Sequence, residues 1–200
     1  MKYSTTSKKT AIKRKAASRP LLKIIEHIES SHSYWTSDTR DLMQILDHGS
    51  GHGKDAEHLH SMGWLVKACD PNHPNHPVIE RPAELDQFDV VLSTYVLNVI
   101  PPSLREDYFQ DLLSYAKNGG LFHDKSRYYI TVRTDVKRQG FTGRGGAYQC
   151  NPISDGLKVA LANAMIEPEI KGSGFLTYCL SEGELEHFAA LLYWDNHSSL

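Results

Sequence analysis

Apolar positions along this chain alternate between short continuous runs and runs with helical spacing. The short runs are Met43–Leu46, Leu65–Cys69, Phe88–Ser93, Tyr128–Val132 and Gly174–Leu180, each a strand's length and the last three rich in β-branched or aromatic residues. Between them lie helical patterns. Leu21, Leu22, Ile24, Ile25 and Ile28 recur on one face, with Ser18 or Arg19 near the cap and Pro20 in the first turn. Leu104, Tyr108, Leu112 and Ala116 form a second stripe with Phe109 and Leu113 beside it, opened by Pro101-Pro102 and stopped by Asn118-Gly119-Gly120. Helix formers follow from Lys54 to His60; Leu157–Met165 and Glu182–Tyr193 complete the set. Strands alternating with helices predict a parallel-type α/β sheet, whose strand C-termini form the ligand edge.

Two stretches depart from this rhythm. Residues 71–77 hold three prolines in seven positions, which excludes a helix. Only 18 residues separate Asp70 from Asp89, so Val78–Asp86 supplies a short edge strand at best and the sheet is trimmed on that side. Between Arg138 and Gln149 the chain is polar and rich in glycine, and reads as a loop. There are no internal repeats and no second domain: residues 1–19 read as a basic, partly disordered arm and 20–200 as one domain.

The richest chemistry lies between Met43 and Asp70. An apolar strand ends at Asp47, runs into His48-Gly49-Ser50-Gly51-His52-Gly53 and passes into a helix; a second strand then stops at Asp70, 23 residues after Asp47. Alternate glycines permit positive φ and close approach of a ligand to the backbone. An acid at the tip of the second strand is placed to accept hydrogen bonds from ribose hydroxyls. The spacing differs from the G-x-G-x-x-G of dinucleotide sites, and no P-loop lysine follows, so an NTPase is disfavoured.

Composition narrows the setting. Forty per cent apolar content suits a globular chain, and no apolar run approaches membrane-spanning length. Three unpatterned cysteines, Cys69, Cys150 and Cys179, argue against a disulfide framework and suit a reducing cytoplasm. The net charge of −2 hides an asymmetry: residues 1–25 carry eight Lys or Arg and no acid, leaving −10 on the remainder. Such an arm suits nucleic-acid phosphates, or simply a solvated terminus. Eleven histidines include the close pairs His48/His52, His58/His60 and His73/His76, but none has a carboxylate or cysteine at ligand spacing, so no metal site is expected.

The order strand, Asp47, Gly49-x-Gly51-x-Gly53, helix, strand, Asp70 resembles the first motif of class I S-adenosylmethionine-dependent methyltransferases. A narrower likeness, covering roughly residues 11–150, is to the methyltransferases associated with DNA phosphorothioation systems and their phage-type relatives. It rests on Ala11–Lys15 with Ser18-Arg19-Pro20, on Asp70-Pro71 and on Tyr95-Val96-Leu97-Asn98-Val99-Ile100. The resemblance implies a Rossmann-like doubly wound α/β sheet of the class I methyltransferase type, shortened after the second strand, with S-adenosyl-L-methionine as cofactor.

On that footing Gly49, Ser50, Gly51 and Gly53 would carry the methionine end of the cofactor. Asp47 would orient the loop and Asp70 would hold the ribose, with Ser93 and Thr94 beside the methyl group. Asp89 would face the adenine end or serve the structure. Tyr95 and Asn98 are the candidate catalytic residues, and Arg133 and Arg144 are placed to grip an anionic substrate. The expected activity is methyl transfer, with nucleic acid as favoured acceptor because of the basic arm. Two readings stay open: a cofactor-binding or partner protein without transfer chemistry, and a small-molecule methyltransferase. Standard base methylation is disfavoured, because Ser93-Thr94-Tyr95-Val96 replaces the acid/amide-Pro-Pro-aromatic motif and no Pro-Cys nucleophile exists.

Overall fold

The computed structural model describes residues 13–31, 37–70, 79–83, 86–116, 126–137, 139–141 and 148–197. Helix α1 (Arg19–Ser31) is followed by a 3-10 turn (Ser37–Leu42), β1 (Gln44–His48), α2 (Lys54–Ser61) and β2 (Leu65–Cys69). Next come β3 (Val90–Thr94), 3-10 turns at Leu97–Val99 and Pro102–Leu104, α3 (Arg105–Leu113) and β4 (Arg127–Arg133). The two-residue strands β5 (Gly140–Phe141) and β6 (Tyr148–Gln149) precede α4 (Asp155–Asn163), β7 (Ile170–Gly172), β8 (Phe175–Leu180) and α5 (Glu182–His197).

Six strands form one sheet in the order β2–β1–β3–β4–β8–β7. The first four are parallel, with Asp47 in register with Ala68 on one side and Leu92 on the other. From β1 the chain steps outward to β2 and then returns to β3 on the opposite side, which opens a crevice at the strand C-termini. Alternating residues feed two cores. Ile45, Val90, Leu92 and Tyr129 pack under α1 and α2, while Leu46, Val91, Tyr128, Ile130 and Val132 pack under α3, α4 and α5. This is a doubly wound, Rossmann-like α/β sheet, as the motif order implies.

Local signals act as their chemistry requires. Ser18 Oγ accepts the Leu21 N–H at 3.2 Å and caps α1, with Pro20 in its first turn. Helix α3 ends at Leu113, earlier than its apolar stripe predicts, because Ala116 instead makes a parallel bridge to Phe88. The Asn118–Gly120 stop lies outside the described residues.

Two features differ from the expectation, the pairing direction of β8 and the ribbon in the glycine-rich loop, while the trimmed edge beyond β2 agrees with it. The sheet is mixed: β8 runs antiparallel to both β4 and β7. Beyond β2 no further strand pairs among the described residues; Ala68 N–H donates to Glu80 O at 2.9 Å, Ile79 is buried and Lys67 holds Asp86 at 2.7 Å. The glycine-rich loop contains an antiparallel ribbon, Gly140 opposite Gln149 and Phe141 opposite Tyr148. No described helix is long and apolar enough to cross a membrane.

Candidate cofactor site

The glycine loop bridges β1 and α2 at the crevice. Gly49, Gly51 and Gly53 all have positive φ, at 76°, 57° and 73°. At Gly49 a side chain is also excluded by space, since a Cβ there would lie 2.2 Å from Val96 Cγ2. The turn after β3 is therefore packed directly on the loop.

The loop turns its own donors inward. The Gly49 and Ser50 N–H groups donate to Cys69 O at 2.7 and 3.2 Å, Gly53 N–H to Ser50 O at 2.9 Å and Gly51 N–H to Asp70 Oδ2 at 3.0 Å. Asp70 thus clamps the loop to the end of β2 through one oxygen. A cradle for phosphate needs such N–H groups aimed at the ligand; here four of them are engaged within the loop or with the end of β2.

Carboxylates ring this loop instead. Asp47 is only 3% exposed, and its Oδ2 has no hydrogen-bond partner among the described residues. Burial, the Asp55 charge and, less strongly, Asp70 push its carboxyl up to about 8, against the pull of Arg14 and a hydrogen bond from the Ala56 backbone. Asp55, in the first turn of α2, accepts Ser18 N–H at 2.6 Å, Ser18 Oγ–H at 2.7 Å and Arg14 Nη1 at 3.1 Å. These contacts dock residues 14–18 beside the loop. Sequence reading passed over Arg14, Ser18 and Asp55 as site residues; the visible signals were the Arg14–Ser18 entry segment and an acid two residues past Gly53.

The turn after β3 separates the other expected residues. Ser93 was expected to bind cofactor, but it is fully buried and its hydroxyl lies 2.7 Å from Tyr108 Oη on α3, so the structure gives it to the core. Thr94 is partly exposed at the strand tip. Tyr95 has φ 66°, rare and strained for an aromatic residue, and its N–H is tied to Thr131 O at 2.9 Å. The Arg14 guanidinium sits over its ring, 5.8 Å from the centroid. Burial raises the Tyr95 phenol, partly offset by Arg14 and Arg133.

Asn98 is a brace. Its Nδ2 donates to Arg133 O at 3.1 Å and Cys150 O at 2.8 Å, and its Oδ1 accepts Arg133 N–H at 2.8 Å. The expected catalytic amide is spent on three backbone groups, so it positions rather than reacts. Arg133 stands at the β4 tip and pairs with Asp135 at 2.9 Å; Arg144 lies outside the described residues. Asp89 is buried at the opposite end of β3, where its Oδ2 accepts Gln44 N–H at 3.0 Å, which settles its open role as structural.

His48 is buried beneath the loop, with Nε2 2.8 Å from Asp111 Oδ2 and the rings of Tyr108 and Tyr115 edge-on; burial lowers its basicity. Among the described residues no cluster of His, Cys, Asp and Glu is arranged to hold a metal ion, and His73 and His76 fall outside them. Cys69, Cys150 and Cys179 are free thiols.

No protein-family model and no curated protein matches this chain. Solved structures do. A 1,6-didemethyltoxoflavin-N1-methyltransferase of Burkholderia thailandensis, bound to 1,6-didemethyltoxoflavin and S-adenosylhomocysteine, is 16% identical over 86% of this chain and 93% of its own, with TM-score 0.43. The magnesium protoporphyrin IX methyltransferase of Synechocystis PCC 6803 with bound S-adenosylmethionine is 16% identical over 86% and 89%, with TM-score 0.43. A protein described for conversion of a disulfide bond into a thioacetal group during echinomycin biosynthesis is 19% identical over 60% of this chain, with TM-score 0.41; the chain spans about half, 52%, of its length.

Proposed function

We propose that this protein binds S-adenosylmethionine at the Gly49–Gly53 loop and transfers its methyl group. One observation carries the reading: four N–H groups of the loop are engaged within it or by the end of β2, while the buried carboxyls of Asp47, Asp55 and Asp70 cluster beside it, with Arg14 paired to Asp55. That arrangement suits a nucleoside without phosphates that carries positive charge, and S-adenosylmethionine has both an ammonium and a sulfonium. A cation beside the buried Asp47 Oδ2 would draw its carboxyl down into the ionised form and supply the partner that this oxygen lacks among the described residues.

The bound cofactor supplies an already activated methyl group. What remains for the protein is orientation and exclusion of water. Gly49, Ser50, Gly51 and Gly53 would hold the methionine end, Asp70 the ribose side, and Thr94 the rim. Tyr95 would present the acceptor, its ring fixed between the left-handed backbone and Arg14.

Nucleic acid is the favoured acceptor. The basic arm joins the fold at Arg14, directly over Tyr95, so phosphates gripped by residues 2–15 would run past the site. The narrower likeness to phosphorothioation-associated methyltransferases belongs to the same proposal. A second reading, cofactor binding without transfer, is favoured by the use of Ser93 and Asn98 inside the fold.

Calorimetric titration with S-adenosylmethionine tests the proposal. Wild type binds one equivalent, and both Asp70→Ala and Gly51→Trp lose at least about tenfold in affinity, one removing the loop clamp and the other filling a positive-φ site. A folded wild type that takes no cofactor overturns the reading. Labelled-methyl transfer to DNA or RNA then separates the enzyme from the pure binder.

A further inference from the structure

The chain has two positive segments on an otherwise acidic body, and both enter the fold at the turn after β3. One is the arm, docked through Arg14. The other is residues 133–149, which carry Arg133, Lys137, Arg138 and Arg144 against Asp135 alone. Asn98, three residues past Tyr95, stitches both ends of this excursion. It binds the Arg133 N–H and C=O at one end, and at the other it binds Cys150 O while Cys150 N–H donates to Asn98 O at 2.8 Å.

The excursion returns through the β5–β6 ribbon, which ends just before that stitch. Tyr148 lies two residues, about 7 Å of extended chain, from Cys150. Opposite it on the ribbon is Phe141, 66% exposed, with its ring 5.4 Å from that of Tyr148 at 67° between planes. A phenylalanine this open gains little from folding. The ribbon of two residues a side is far too small for a stable protein interface, which buries about 800 Å² per partner. An exposed π surface in a chain segment that carries Arg133, Lys137, Arg138 and Arg144, on an acidic protein, has the chemistry of a nucleobase platform.

We propose that Phe141, backed by Tyr148 and held beside the site by Asn98, is a stacking platform for an unpaired base of the nucleic acid acceptor. This rests on the nucleic-acid reading above and deepens it: the acceptor is single-stranded, or locally unpaired, where it meets the site. Base stacking and phosphate attraction divide between the two positive segments. Stacking is insensitive to salt, whereas phosphate contacts release counter-ions and set the salt slope.

The test is anisotropy titration of a fluorescein-labelled 20-nucleotide single-stranded DNA of mixed sequence, and of the same strand as duplex, across a salt series. Phe141→Ala and Phe141→Leu are expected to weaken single-strand binding about tenfold. Duplex binding and the salt slope stay as in wild type, and Phe141→Trp retains affinity. Deleting residues 1–12 does the reverse, lowering the slope on both probes. Thermal melting and S-adenosylmethionine binding, unchanged in the Phe141 variants, certify the fold. Equal losses on both probes, no loss in Phe141→Ala, or a wild type that prefers duplex overturns the platform. A wild type that binds neither probe overturns it together with the nucleic-acid acceptor, while the cofactor titration reports separately on the methyltransferase reading.

Discussion

Asp47 concentrates the electrostatics of the loop. Its carboxyl is buried, one oxygen lacks a partner among the described residues, and Asp55 and Asp70 add like charge, so the neutral form is favoured up to about 8. An unfolded aspartate titrates near 3.9. Between these values the folded protein holds a proton that the unfolded chain releases, so stability from this group is full below about 4 and is lost as pH rises through about 8. Asp47→Asn keeps the shape and removes the titration. Its melting temperature relative to wild type should rise from pH 5.5 to pH 8.5; parallel pH profiles would show Asp47 ionised throughout. The residues legible in the sequence were those fixed by local backbone demands, the alternate glycines above all. Arg14, Ser18 and Asp55 were not, because their partnership spans 37 to 41 residues and forms only when α1 packs beside α2. Ser93 and Asn98 flank Tyr95 at the end of β3 and in the turn after it, but which way each side chain points depends on Tyr108 and Arg133, which sequence position alone does not place.

Elements were easier to read than their partners. The helical stripes and the strands after them follow from periodicity, since burial on one face needs that spacing. Parallel pairing failed at β7–β8, where two residues, Ser173 and Gly174 with φ 81°, join the strands. So short a connection allows only a hairpin. The three residues of β7 gave too little pattern to see. The β5–β6 ribbon was hidden in the same way: its strands are two residues long and its cross-strand Phe141–Tyr148 pair sits among glycines. What holds the base of that ribbon is Asn98. Asn98→Ala strands the Arg133 N–H, Arg133 C=O and Cys150 C=O, and should cost about 2–4 kcal/mol in urea unfolding. Amide exchange at Arg133 and Cys150 should quicken more than the global loss explains, while Gly49 and Gly53 stay protected relative to it. Uniform loosening of all four would mean that Asn98 stabilises the fold without bracing this junction.

At the scale of the whole molecule, the charge asymmetry seen in the sequence becomes a structural dependence. Residues 1–12 lie outside the described part, whereas Arg14 and Ser18 supply three hydrogen bonds to the Asp55 side chain. Truncation should therefore be harmless up to a sharp limit. Removing residues 1–12 leaves the melting temperature within about 2 °C, since the Arg14 and Ser18 bonds to Asp55 are kept. Removing residues 1–18 leaves a buried carboxylate without its donors and α1 without its cap. That should cost about 2–4 kcal/mol, or roughly 5–15 °C in a chain of this size. A sign reversal distinguishes this cause from general damage to the terminus. In the full chain Asp55→Asn destabilises, because it replaces an acceptor of three donors, one of them a guanidinium. In the chain lacking residues 1–18 the same substitution restores stability, because a neutral amide is cheaper to bury than an uncompensated charge. If Asp55→Asn destabilises both chains equally, the arm is held by something other than the Arg14–Asp55–Ser18 contacts, and Arg14 loses its place over Tyr95 as a fixed part of the site.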